Sequence, residues 1–157
     1  MKPFEIILIV VGCLIVVSLI VMIPIWLKIA QVIHRKLFIR KSETDFGHSC
    51  SAPENPEHLA MFNEGVEWAK KHEQNKVELD IENDGLKLHG EFYNFGYDKT
   101  VIFAPGRCES LMYCYYYAIG YENNNCNVLV IDQRAHGYSE GKYVTAGIKE
   151  AQDMIAW

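Results

Sequence analysis

Residues 132–143 read Asp-Gln-Arg-Ala-His-Gly-Tyr-Ser-Glu-Gly-Lys-Tyr. Asp132, Arg134, His136 and Ser139 are side chains that carry acid–base and nucleophilic chemistry: an imidazole can take a serine proton, and a carboxylate can orient the imidazole. Gly137-Tyr138-Ser139-Glu140-Gly141 also fits G-x-S-x-G letter for letter. That pattern marks a nucleophile only where the serine stands on a sharp turn directly between a strand and a helix. Here the preceding apolar run ends near Asp132, and Glu140-Gly141-Lys142-Tyr143-Val144 does not open a helix. Ser139 is therefore expected not to be a nucleophile.

The other chemically able residues form no cluster. The five cysteines, Cys13, Cys50, Cys108, Cys114 and Cys126, make no CxxC pair and no Cys/His set with zinc spacing. They read as reduced thiols. No metal, nucleotide or flavin motif is visible, so no cofactor is expected. The formal net charge is -5. Residues 1–41 carry Lys2, Lys28, Arg35, Lys36, Arg40 and Lys41 against Glu5, whereas the remainder is strongly acidic. An acidic body argues against nucleic acid as a partner, because phosphate binding needs a positive face.

The elements that must position these residues begin with a membrane segment. No charged residue occurs from Ile6 to Leu27, a run longer than the ~20 residues a helix needs to cross the hydrocarbon core. A cleaved signal would have a shorter apolar stretch and a small-residue cleavage site, which Ile25-Trp26-Leu27-Lys28 does not offer. The basic residues cluster after the run, so the positive-inside rule predicts a single-pass cell-membrane protein with its body in the cytoplasm. The bilayer is thus the first expected partner. The expected organisation is a transmembrane helix (about 6–27) with a basic flank over 1–41, a linker over 42–55 and a partial domain over 56–157.

Within the body, Asn55-Pro56 looks like a helix start, and Leu59, Phe62, Val66 and Ala69 recur at helical spacing. Val77, Leu79 and Ile81 then alternate with acids, and Leu86, Leu88, Gly90 and Phe92 alternate with Lys87, His89, Glu91 and Tyr93. With Asn83-Asp84-Gly85 between the two runs, this predicts an antiparallel hairpin with His89, Glu91 and Tyr93 on its polar face. Val101-Ile102-Phe103-Ala104 and Val128-Leu129-Val130-Ile131 are continuous apolar runs of the kind found in strands buried on both faces of a parallel sheet. The segment from Ser110 to about Ile119 is long enough for a crossover helix between them. Ile148, Ala151 and Ile155 mark a last helix, inside which the sequence stops at Trp157. The expected fold class is α/β.

An antiparallel hairpin leading into parallel strands, with Pro105-Gly106-Arg107-Cys108-Glu109-Ser110 after the first and Asp132 to Tyr143 after the second, resembles the start of an α/β-hydrolase. The second loop is similar to the D-x-R-[GA]-H-G-x-S-x-G loop of bacterial hydrolases of the serine-aminopeptidase and monoacylglycerol-lipase type. Tyr143, Gly147, Glu150, Asp153 and Trp157 also look like membrane-anchored members of that group. The resemblance covers about residues 56–157 and implies ester or amide hydrolysis through an activated hydroxyl or thiol, with a small-molecule ester or peptide as substrate.

The resemblance also implies roles. Gly106 and Arg107 become the oxyanion-hole candidates, with Arg107 the favoured amide donor; Pro105 stands where the family usually has His. Asp132, Arg134, His136 and Gly137 take loop-bracing roles, with Asp132 and Arg134 able to pair. The family's nucleophile elbow, acid and His follow the helix that contains Trp157. The chain is thus expected to be the front half of a hydrolase, inactive alone and with no catalytic residue of its own. The competing reading is a non-catalytic membrane protein or remnant that uses the tyrosine-rich stretch Tyr113–Tyr117 as an apolar interaction surface.

Overall fold

Nothing charged interrupts the run from Ile6 to Leu27, and a chain of that composition satisfies its own backbone groups as a helix. In the computed structural model, which describes residues 2–40, 52–107 and 109–157, α1 spans Pro3–Leu37. It passes through Pro24 and runs on through the basic flank. At 1.5 Å per residue it is about 53 Å long. Glu5 lies in its first turn and His34, Arg35 and Lys36 in its last, matching the helix dipole at both ends. Its apolar stretch has no buried share, and α1 is long and apolar enough to cross a membrane. The chain divides into two units, Met1–Ile39 and Arg40–Trp157. Arg40, expected in the basic flank, is therefore a residue of the body. Most of the expected linker, 42–51, lies outside the described residues.

The body opens with α2, Pro56–Lys71. Asn55 Oδ1 accepts from the Glu57 amide at 2.9 Å and the His58 amide at 3.4 Å, so the predicted cap forms. Strand β1 (Lys76–Asn83) pairs antiparallel with β2 (Leu86–Tyr93) in the register Asn83↔Leu86 to Lys76↔Tyr93. The two-residue turn at Asp84 and Gly85 has positive φ at both positions, the twist a tight hairpin needs. Strand β3 (Lys99–Phe103) lies parallel to β4 (Cys126–Ile131), with Val101 opposite Val128 and Phe103 opposite Val130. One turn of 3-10 helix (Leu111–Cys114) and α3 (Tyr115–Glu122) make the crossover, and α4 (Ile148–Ala156) closes the chain. The class is α/β: a mixed, partial sheet with helices on it.

The sheet order is β1-β2-β4-β3, and this order corrects two sequence expectations. Strand β2 is an inner strand, antiparallel to β4 with Tyr93 opposite Val128. Its supposed polar face is covered, so Glu91 and Tyr93 are buried. Strand β3 is an edge strand, and Ile102, expected to be buried on both faces, is 37% exposed. Among the described strands, only β4 is buried along nearly its whole length.

One core fills the space between the sheet and the pair α2 and α3. Trp68 and Tyr93 meet at 4.7 Å between ring centroids, with Leu111, Tyr115, Ala118, Val128 and Val130 around them. The buried Glu91 carboxylate is satisfied there by the Tyr93 hydroxyl at 2.9 Å and the Tyr115 hydroxyl at 2.8 Å. Burial and this carboxylate push both phenols well above the ordinary tyrosine range. Gly65 lets α2 and α3 touch: a Cβ there would lie 2.5 Å from the Tyr116 amide nitrogen. Beside this contact Trp68 Nε1 donates to Glu122 Oε2 at 2.5 Å, and His72 Nε2 lies 3.3 Å from the same oxygen.

Candidate active site

Side chains at the carboxyl ends of parallel strands meet at one rim, because the strands point the same way and their following loops leave from the same edge. Here those loops are 104–110 after β3 and 132–141 after β4, and two hydrogen bonds tie the second to the first and to the 3-10 turn that follows it. Asp132 Oδ1 accepts the Leu111 amide at 2.8 Å, and Gln133 Nε2 donates to the Pro105 carbonyl at 2.5 Å. The other oxygen of Asp132 accepts the Tyr138 amide at 2.9 Å. Asp132 is fully buried. Burial pushes its carboxyl above the ordinary range, against the opposing pull of the Tyr138 and Leu111 amides.

The chain after Asp132 folds into a tight double turn. Ala135 and Gly137 adopt positive φ, +60° and +47°. Gly137 has no alternative, since a Cβ there would sit 2.1 Å from Asp132 Oδ2. Arg40 seals the turn from outside. Its Nη1 donates to the Ser139 carbonyl at 3.0 Å and its Nη2 to the Gly137 carbonyl at 2.9 Å. Its own amide donates to the Lys142 carbonyl at 2.8 Å.

Ser139 lies inside this turn and is 1% exposed. Its hydroxyl donates to the Asp132 carbonyl at 2.7 Å and accepts the His89 amide at 2.9 Å. Both partners are backbone groups, so the hydroxyl is committed to holding the turn against β2. His136 is also fully buried. Its Nδ1 donates to the Arg134 carbonyl at 2.9 Å, and burial holds its imidazole below the ordinary histidine range.

The expected pairing of Asp132 with Arg134 does not form. Two backbone amides occupy Asp132, while Arg134 reaches α4 and grips Asp153 through Nε at 2.6 Å and Nη2 at 2.7 Å. Its Nη1 lies 3.3 Å from Asp84 in the hairpin turn, and Asn83 Nδ2 donates to Asp153 at 2.8 Å. Arg134 thus ties three elements together: the β4 loop, α4 and the β1–β2 turn.

A cavity of about 310 Å³ opens at this rim. Arg107, Asp132, Gln133, His136, Met154 and Trp157 are among its lining residues. Of the two oxyanion candidates, Gly106 turns its amide to Glu109 Oε2 at 2.9 Å, and its carbonyl accepts the Glu109 amide at 3.2 Å. Arg107 lies on the cavity lining. The Gly106 amide is thus taken by Glu109, and Arg107 is the candidate that reaches the cavity. Cys108 lies outside the described residues. Cys114 is buried, and burial pushes its thiol up to about 12, far from a reactive thiolate. No group of His, Cys, Asp or Glu among the described residues is arranged to hold a metal ion.

Sequence reasoning missed Glu109, Asp153 and Arg40 as parts of this arrangement. Asp153 could have been sought as the partner any covered arginine requires. Arg40 gave no signal, because it stands in a basic run that reads as a membrane flank.

No protein-family model matches the sequence, and neither does any curated relative. Among solved structures the chain is similar to the Pyrococcus furiosus esterase Pf2001, at 35% identity over 55% of this chain and 34% of that one, with a TM-score of 0.47. In a second crystal form of that esterase the values are 35% identity, 56% and 36% coverage and a TM-score of 0.49. The chain spans about a third of that esterase's length.

Proposed function

We propose that these residues form the oxyanion side of a membrane-attached ester or amide hydrolase of the α/β-hydrolase type, resembling the serine-aminopeptidase and monoacylglycerol-lipase group. The observation that carries the reading is the joining of the 104–110 and 132–141 loops at one rim of a parallel strand pair, with Arg107 on the cavity between them. In this chemistry the Arg107 amide would donate to the carbonyl oxygen as negative charge develops there. One such donor supplies about 3 kcal/mol of transition-state stabilisation. Asp132, Gly137 and Ser139 fix the neighbouring turn, so the rim is rigid before substrate arrives. In this reading the nucleophile comes from outside these residues; Ser139 is sealed and Cys114 is a protonated core thiol. Helix α1 holds the protein in the cell membrane with the body on the cytoplasmic side.

The test is hydrolysis of p-nitrophenyl butyrate by membranes containing the product of the whole gene, beside the 157 residues alone. Turnover is expected only from the former, with a fluorophosphonate probe labelling a serine outside residues 1–157. Turnover by the 157 residues that disappears in Ser139→Ala would overturn the assignment. So would absence of turnover and of labelling from both.

A further inference from the structure

A second cavity, of about 190 Å³, lies between α2 and the crossover segment and shares only Glu109 with the rim described above. His58, Met61 and Phe62 line it from α2, and Glu109, Tyr113, Tyr116 and Tyr117 line it from the other side. Its ring walls stand in several planes. Phe62 and Tyr113 are 5.2 Å apart between centroids at 57°, and Tyr116 and Tyr117 are 5.8 Å apart at 77°. The Gly65 contact brings the two helices together beside the cavity, with a Cβ there 2.5 Å from the Tyr116 nitrogen. The rings are thus mounted on a closely packed helix pair.

The chemistry of the lining selects the sign of a ligand. Aromatic faces carry negative quadrupole potential and attract cations. No lysine or arginine is among the lining residues, and Glu109 brings a carboxylate. That carboxylate is held in place by the Gly106 amide at 2.9 Å. Among the described residues it enters no ion pair. A primary ammonium would need acceptors for three N–H donors, and this lining is mostly apolar. A quaternary ammonium asks for no hydrogen bond, only for ring faces and a counter-charge.

We propose that the α2–α3 cavity binds a quaternary ammonium group, such as the trimethylammonium of free choline or of a choline lipid headgroup. The site does not rest on the hydrolase reading. Phe62, Tyr113, Tyr116 and Tyr117 form the cage and Glu109 supplies the counter-charge.

Calorimetric titration of the full chain in maltoside micelles tests this, with choline set against its neutral carbon isostere 3,3-dimethylbutan-1-ol. Choline is expected to bind about tenfold more tightly, because the two differ only in the charge that the rings and Glu109 read. Glu109→Gln and Tyr116→Leu are each expected to weaken choline about fivefold. Equal affinity for the two compounds overturns the proposal whatever the variants do. So does the absence of binding at tens of millimolar choline. Nanodiscs distinguish the source. If lipid headgroups fill the cage, choline binds in phosphatidylglycerol discs and is excluded from phosphatidylcholine discs. If the ligand is free, binding is equal in both.

Discussion

At the scale of single residues, the turn after β4 is specified by atoms that leave no room for substitution. Gly137 combines a left-handed φ of +47° with an approach to the Asp132 carboxylate that excludes a Cβ. Gly137→Ala is therefore expected to destabilise the body by about 3 kcal/mol, adding backbone strain to steric overlap. Thermal unfolding followed by near-ultraviolet circular dichroism measures it, and a melting temperature equal to wild type would contradict the geometry. The letters around Gly137 were readable as a motif, but their meaning was not. G-x-S-x-G suggests a presented hydroxyl, whereas Ser139 donates to the residue that follows β4 and accepts from β2. What decides between these is the distance from Ser139 to β2, which no local pattern encodes.

At the scale of elements, the network through Arg134 determines how α4 sits on the sheet. Asp153 accepts both forks of the guanidinium and the Asn83 amide as well. Asp153→Ala leaves the buried Arg134 with only the longer, half-exposed contact to Asp84 at 3.3 Å, a change expected to cost about 3 kcal/mol. Proteolysis at the end of α4 should accelerate with it, and an unchanged cleavage rate there would show that the network does not hold the helix. The elements themselves were largely legible. Alternation on both sides of Asp84-Gly85 specified the hairpin, and Asn55-Pro56 specified the start of α2. Burial was less legible, because it depends on strand order. Glu91 and Tyr93 read as a wet face until β4 is known to lie beside β2. The run at Val101–Phe103 reads as central until β3 is known to lie at the edge.

At the scale of the whole molecule, acidification should weaken the body through His136. His136 is folded as a neutral ring with its value held below 6.5 by burial. The unfolded chain takes up a proton near the ordinary value, so stability falls as pH drops below it. Glu150 acts lower on the scale: burial opposes ionisation, but hydrogen bonds from Thr145 and Gly147 win and hold its carboxyl below 4.5. Its contribution is present above that value and is lost as pH falls further. Melting temperature is expected to drop between about pH 7.5 and about pH 5.5 in the wild type, and less in His136→Gln. Parallel profiles would remove His136 as the cause.

Among the described residues, strand β3 has a hydrogen-bonded neighbour only in β4. Its ladder is one-sided: the outer peptide groups are already extended, spaced and held rigid, so an incoming strand would find half of the ordering cost met in advance. The same preparation accepts any extended segment, its own kind included. The edge that makes the sheet easy to enlarge thereby makes the 157 residues prone to stick to one another wherever that edge is left uncovered.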